Sequence, residues 1–195
     1  MDQPSSPACH GPCVSADDLI RLFYDSTDKL GFFERVTSNV VPLVYRELLD
    51  HTNHMTVTVE SHHADTVDVT VLRSDEVLEH YRREILLTTH SSSKVVQYGI
   101  VRLNMKVLAD KPRSEILAEK IPLGRVLIEN DVLREIELFD LLRVQCGQVL
   151  ANLFGVVVGT ITYGRTALLY CDDEPAIELL EIVAPEEMST ESLGQ

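Results

Sequence analysis

Three segments of this 195-residue chain set charged side chains inside otherwise apolar runs. The first is Tyr81-Arg82-Arg83-Glu84-Ile85-Leu86-Leu87, and the second is Ile121-Pro122-Leu123-Gly124-Arg125-Val126-Leu127. The third is Tyr163-Gly164-Arg165-Thr166, continued through Glu174-Pro175 to Glu181-Ile182-Val183-Ala184-Pro185. Adjacent strand residues face opposite ways, so one of Arg82 and Arg83 points to the core. A buried arginine needs an anionic partner, and its planar fork suits a carboxylate. That partner is either the carboxylate of a ligand or an internal glutamate, with Glu84, Glu178 and Glu181 as candidates. Glu181 resists a purely structural reading, because a carboxylate in an apolar strand is costly to bury without a reason.

Several familiar patterns are missing: no GxSxG elbow, P-loop, GxGxxG fingerprint or HExxH occurs. Chemistry would therefore rest on side chains alone, or the protein binds without reacting. Cys9-His10-x-x-Cys13 supplies only half of a zinc site. The pairs His51/His54 and His62/His63 bring no cysteine and border an expected strand pair, so solvated hairpin histidines are the better reading. No metal site is expected.

The elements that position these groups follow from periodicity. Residues 1–14 read as a disordered lead-in. Ser15 and Asp18 resemble a capping box ahead of a helix bearing Leu19, Leu22, Phe23 and Leu30, which Gly31 ends. A second helix is predicted from Glu34 to Asp50, kinked at Pro42. Alternation over Met55–Glu60 and Thr66–Val71 predicts two strands joined by a hairpin loop at Ser61–Asp65. Strands follow at Arg83–Thr89 and Val95–Leu103, and short helices near Ser114–Glu119 and from Pro122. A long helix is predicted over Leu138–Phe154, then strands at Thr160–Tyr170 and Ala176–Val183, and a frayed acidic tail over 186–195. The expected fold class is α+β: one domain over 15–185 with a six-stranded antiparallel sheet and helices on one face.

Composition narrows the partners. The chain is 45% hydrophobic and 25% charged, as globular proteins are, and its 31 acidic against 17 basic residues give a net charge of -14. Such a field repels nucleic acid, so none is expected as a partner, and an anionic ligand must be recruited by particular arginines. No run approaches the ~20 apolar residues of a membrane span, and the N-terminus carries no signal-peptide pattern. A cytoplasmic location is the expectation.

The order aromatic-x-Arg-Glu-(Ile/Val)-Leu-Leu, Pro-Leu-Gly-Arg-x-Leu, Gly-Arg-x-x-x-Leu and Pro, an apolar stretch, Glu, three apolar residues and Pro resembles chorismate pyruvate-lyase, from about Asp25 to Pro185. The resemblance implies a chorismate-lyase-like fold with helical flaps over an enclosed site. It also implies cofactor-independent elimination of pyruvate from chorismate to give 4-hydroxybenzoate. By it, Arg83 grips the ring carboxylate, the Leu123 backbone helps hold it, and Glu181 meets the ring hydroxyl as base or as orienter. Phe32 falls where the family has an apolar flap residue. Arg125 and Arg165 either neutralise the second carboxylate or are structural. Departures include Tyr81 in place of a tryptophan and an extra residue before Glu181, which leaves Glu178 as a weak competitor. The longer segment 137–159 implies a lid, an oligomer interface or a core helix. Ligand-binding domains of bacterial transcription regulators share this fold, and a non-catalytic effector-binding role is the alternative.

Overall fold

The computed structural model describes residues 13–132, 135–171 and 174–186. The elements run α1 (Ala16–Ile20), β1 (Gly31–Val36), α2 (Leu43–Leu49), α3 (Met55–His63), β2 (Val67–Val77), β3 (His80–Thr89) and β4 (Val95–Asn104). Then come α4 (Asp110–Leu117), α5 (Leu123–Glu129), β5 (Glu135–Cys146), α6 (Gln148–Phe154), β6 (Ile161–Cys171) and β7 (Glu174–Val183). Every strand pairing is antiparallel, in the order β1-β5-β6-β7-β4-β3-β2. The α+β class with an antiparallel sheet is as expected, but the described residues form seven strands, not six.

Helices cover both faces, not one. Leu86, Tyr98, Ile100, Leu180 and Ile182 pack with Leu19 and Ile20 of α1 and Leu150 of α6. Their neighbours in sequence point the other way. Val101, Leu103 and Leu179 meet Ile116 of α4 and Val126 and Leu127 of α5, while Ile85, Leu87 and Val183 meet α2 and α3. Strands sandwiched this way are apolar on both sides, which weakens the alternation that identifies them in a sequence.

Four local expectations are corrected. Gly31 opens strand β1 rather than ending a helix: its φ is +150°, and a Cβ there would stand 2.2 Å from the Gln145 carbonyl oxygen. Pro42 does not kink a helix but precedes α2, where a missing N–H costs nothing. Met55–Glu60 is helical, and the expected hairpin loop at Ser61–Asp65 contains the end of α3. The predicted helix over Leu138–Phe154 is most of strand β5 followed by the short α6. Segment 137–159 thus contributes Leu141, Leu142, Val144 and Leu150 to the core.

The first described residues are tied to the fold. Ser15 caps α1, its Oγ accepting from the Asp18 N–H at 3.4 Å. Val14 is buried, although it falls in the expected lead-in. Cys9 and most of the expected tail lie outside the described residues.

Candidate functional site

A cavity of about 50 Å³ lies between the sheet and the helices α3 and α5. Ile85, Gly99, Val101, Leu179 and Glu181 supply its floor, and Thr56, Leu123 and Leu127 line it from the helices. Gly99 keeps the floor open, since a Cβ there would press to 3.2 Å from the Ile85 side chain. His54 and Ile136 also line an outer cleft of about 700 Å³, so inner cavity and cleft adjoin.

Strand register decides which charges meet. Arg165 stands directly across from Glu181, and its Nε donates to Glu181 Oε2 at 2.7 Å with both side chains almost wholly buried. The same guanidinium donates to the carbonyls of Leu49 at 3.2 Å, His51 at 2.8 Å and Asn53 at 3.4 Å. It therefore staples the α2–α3 connection onto the sheet. Arg73 stands across from Glu84 and Arg102 across from Glu178, and both pairs are also made. Glu84, on the opposite face, further accepts from the hydroxyls of Tyr24 and Tyr98.

Arg83 receives no such partner. Its cross-strand neighbours are Ser74 and Val101. It is fully buried, yet among the described residues Nε and both terminal nitrogens make no hydrogen bond of ordinary geometry. Burial pushes its pKa down; the Tyr81 hydroxyl opposes that through its charge and a loose hydrogen-bonding contact, and the Glu119 carboxylate adds to it. Tyr81 itself donates to Glu119 at 2.5 Å, and burial with that carboxylate pushes its phenol up to about 12. Arg83 shares the sheet face of Ile85 and lies across from Val101, both of which line the cavity. On the same face, the Gln97 Oε1 is a second buried group lacking a hydrogen-bond partner, and Gln97 lines the cavity.

His54 lines both the cavity and the cleft, and His51 lies in the same α2–α3 connection. His51 Nε2 lies 2.7 Å from the Leu48 carbonyl and must donate to it, so Nδ1 is the acceptor for the Asn53 N–H at 3.1 Å. That tautomer is neutral, in keeping with a pKa lowered by burial and then by Arg165. Burial lowers His54 as well. Because the folded state depresses both pKa values below the unfolded 6.5, their contribution is present above the unfolded pKa and lost as pH falls through the folded values. Urea midpoints should therefore drop on acidification below about pH 6.5, and His51→Asn should flatten that dependence.

The expected site residues are thus only partly gathered. Leu123 and Glu181 line the cavity, and Arg165 lines it too, while its charge is held by Glu181. Arg83 adjoins it. Arg125 instead donates to Glu60 Oε1 at 2.5 Å, linking α5 to α3. Phe32 is 64% exposed on edge strand β1, four strands from the β4 floor. Sequence reasoning missed His54, Thr56 and Gln97; a glycine at position 99 inside a strand was the one available signal of close approach.

No protein-family model matches the chain, and no curated protein matches it. Among solved structures, it resembles PhnF from Mycobacterium smegmatis at 13% identity and TM-score 0.54, covering 71% of this chain and 67% of that one. The effector domain of PhnF matches at 14% identity and TM-score 0.54, covering 70% of this chain and 91% of the domain. The expectation of a chorismate lyase is corrected by this likeness, which is to PhnF and to its effector domain. The chain has the chorismate-lyase-like fold, shared with the effector domain of PhnF.

Proposed function

We propose that this chain binds a small anionic molecule without transforming it, with Arg83 receiving the anionic group. The carrying observation is that guanidinium: fully buried, with no hydrogen bond of ordinary geometry among the described residues and only a loose contact with the Tyr81 hydroxyl beside it. A protein that buries a charge unpaired bears a cost that an arriving anion relieves. Gln97 Oε1 supplies an acceptor farther along the same face, so the ligand carries a hydrogen-bond donor opposite its anionic end. Apolar walls between the two suit a compact hydrocarbon or aromatic body. The effector domain of PhnF has the same fold, which favours binding over catalysis.

Access runs through the outer cleft, whose volume of about 700 Å³ lies in the roughly 300–1,000 Å³ range of ligand sites. Seating a ligand against Arg83 requires the inner cavity to widen, by displacement of α3 and α5 together because Arg125 and Glu60 link them.

Thermal shift and calorimetry against aliphatic carboxylates, aromatic carboxylates and organophosphates test this reading. A cognate class at a hundredfold excess over its Kd should stabilise the fold by about 2.7 kcal/mol, several degrees in Tm for a chain this size. Uncharged analogues should not. Equal shifts from esters or amides of the same molecules would exclude Arg83 as the anchor, and release of pyruvate from chorismate would restore the lyase.

A further inference from the structure

Away from the cavity, three side chains with metal-ligating atoms converge on one point. His62 and His63 end α3, and Glu186 follows β7. Nothing in the sequence joins them; residue 186 lies more than a hundred positions away. His62 Nε2 is 3.7 Å from Glu186 Oε2, and His63 Nε2 is 3.8 Å from Oε1. All three ligand atoms fall within 4.8 Å of one another.

Those separations are too long for hydrogen bonds, so the carboxylate and both rings converge without satisfying each other. They are close to what a shared ion requires. Four-coordinate zinc holds nitrogen and oxygen ligands at about 2.0–2.2 Å, which sets neighbouring ligands about 3.3 Å apart. The two rings stand edge to face, 4.8 Å between centroids and 89° apart, so each can aim Nε2 at the carboxylate. Ala64 ends the helix in the left-handed conformation, fixing the turn just past the pair.

The backbone that carries Glu186 is held as firmly. The Glu186 N–H donates to the Tyr45 hydroxyl at 2.9 Å, and two residues earlier the Ala184 N–H donates to the Val96 carbonyl at 2.9 Å. The Glu186 and His63 side chains are only 15% and 13% exposed. His62 is more open and lines the outer cleft, which gives an ion a path from solvent. Lys94 and Asp65 are the next charges felt by His63, and they are of opposite sign.

We infer that His62, His63 and Glu186 form a site for a zinc-class divalent ion, with solvent completing the coordination. Two imidazoles, one carboxylate and a water make up a known open zinc ligand set. An ion there bonds the end of α3 to the segment leaving β7. This site is independent of the Arg83 anion site, and the failure of either leaves the other standing.

The test is a zinc titration of the metal-stripped full chain by calorimetry, repeated with Co2+ to read its visible absorption. One zinc per chain is expected at this site. Loss of even an outer-shell partner costs roughly 10–100-fold in metal affinity, so His62→Ala, His63→Ala and Glu186→Gln should each weaken binding at least that much. His62→Ala, at the most exposed position, separates ligand loss from unfolding, and circular dichroism checks all three. Cys13→Ser should leave the zinc in place. The inference is overturned if wild type binds no zinc, if the three variants bind it equally well, or if Cys13→Ser alone abolishes binding.

Discussion

Replacing Arg83 with methionine is expected to make the protein more stable and unable to hold its anion. Exchanging buried ionic groups for apolar ones of similar volume often stabilises by about 1–4 kcal/mol, and Arg83 lacks even the hydrogen bonds of a good buried pair. At about 2–4 °C per kcal/mol for a chain of this size, Tm should rise by several degrees. No carboxylate is orphaned, because Glu119 keeps the Tyr81 hydroxyl and a hydrogen bond from Ser74. Affinity for the anion should fall roughly ten- to a hundredfold, the equivalent of about 1.5–3 kcal/mol for hydrogen bonds to a charged group. Thermal unfolding and calorimetry on the same preparations read both effects. A variant that is less stable and binds unchanged would make Arg83 a structural residue.

Arg165→Met should do the reverse. It leaves the Glu181 carboxylate buried without its cation, and removes the donor shared by the carbonyls of Leu49, His51 and Asn53. Breaking a buried pair from one side costs about 3–5 kcal/mol, or about 6–20 °C in Tm for a chain of this size. Glu181→Leu should cost less, because Arg165 retains its carbonyl acceptors. Combining the two substitutions should recover part of the loss, giving a coupling energy in a double-mutant cycle. Urea unfolding of the four proteins decides it: a loss below about 1 kcal/mol for Arg165→Met would mean that the staple bears little load.

Both expectations depend on pairings that composition does not disclose. The residues announce that arginines and glutamates lie in apolar strands, and they name Glu84, Glu178 and Glu181 as possible partners. Register assigns the partners: Arg73, Arg102 and Arg165 stand opposite those three glutamates, while Arg83 faces Ser74 and Val101. A shift by one residue would turn every side chain to the other face and leave a different arginine unpaired.

Alternation identified the strand from Thr66, while those from Arg83, Val95, Thr160 and Ala176 read as largely apolar runs bounded by polar turns. Where the sequence misled, a tertiary cause is visible. Leu138, Leu141 and Leu142 have helical spacing because a bulge between Leu138 and Asp140 shifts the phase of β5. Met55-Thr-Val57-Thr-Val59 alternates like a strand, yet the buried set is Met55, Thr56 and Val59, with Val57 nearly half exposed. That set is one face of a helix, selected by the sheet beneath it and not by propensity, which β-branched residues oppose. The sequence by itself determined the antiparallel α+β class and the presence of buried charge. Only the tertiary structure decided that Arg83 stays unpaired and that Glu186 meets His62 and His63, because both depend on contacts between segments that no local pattern links.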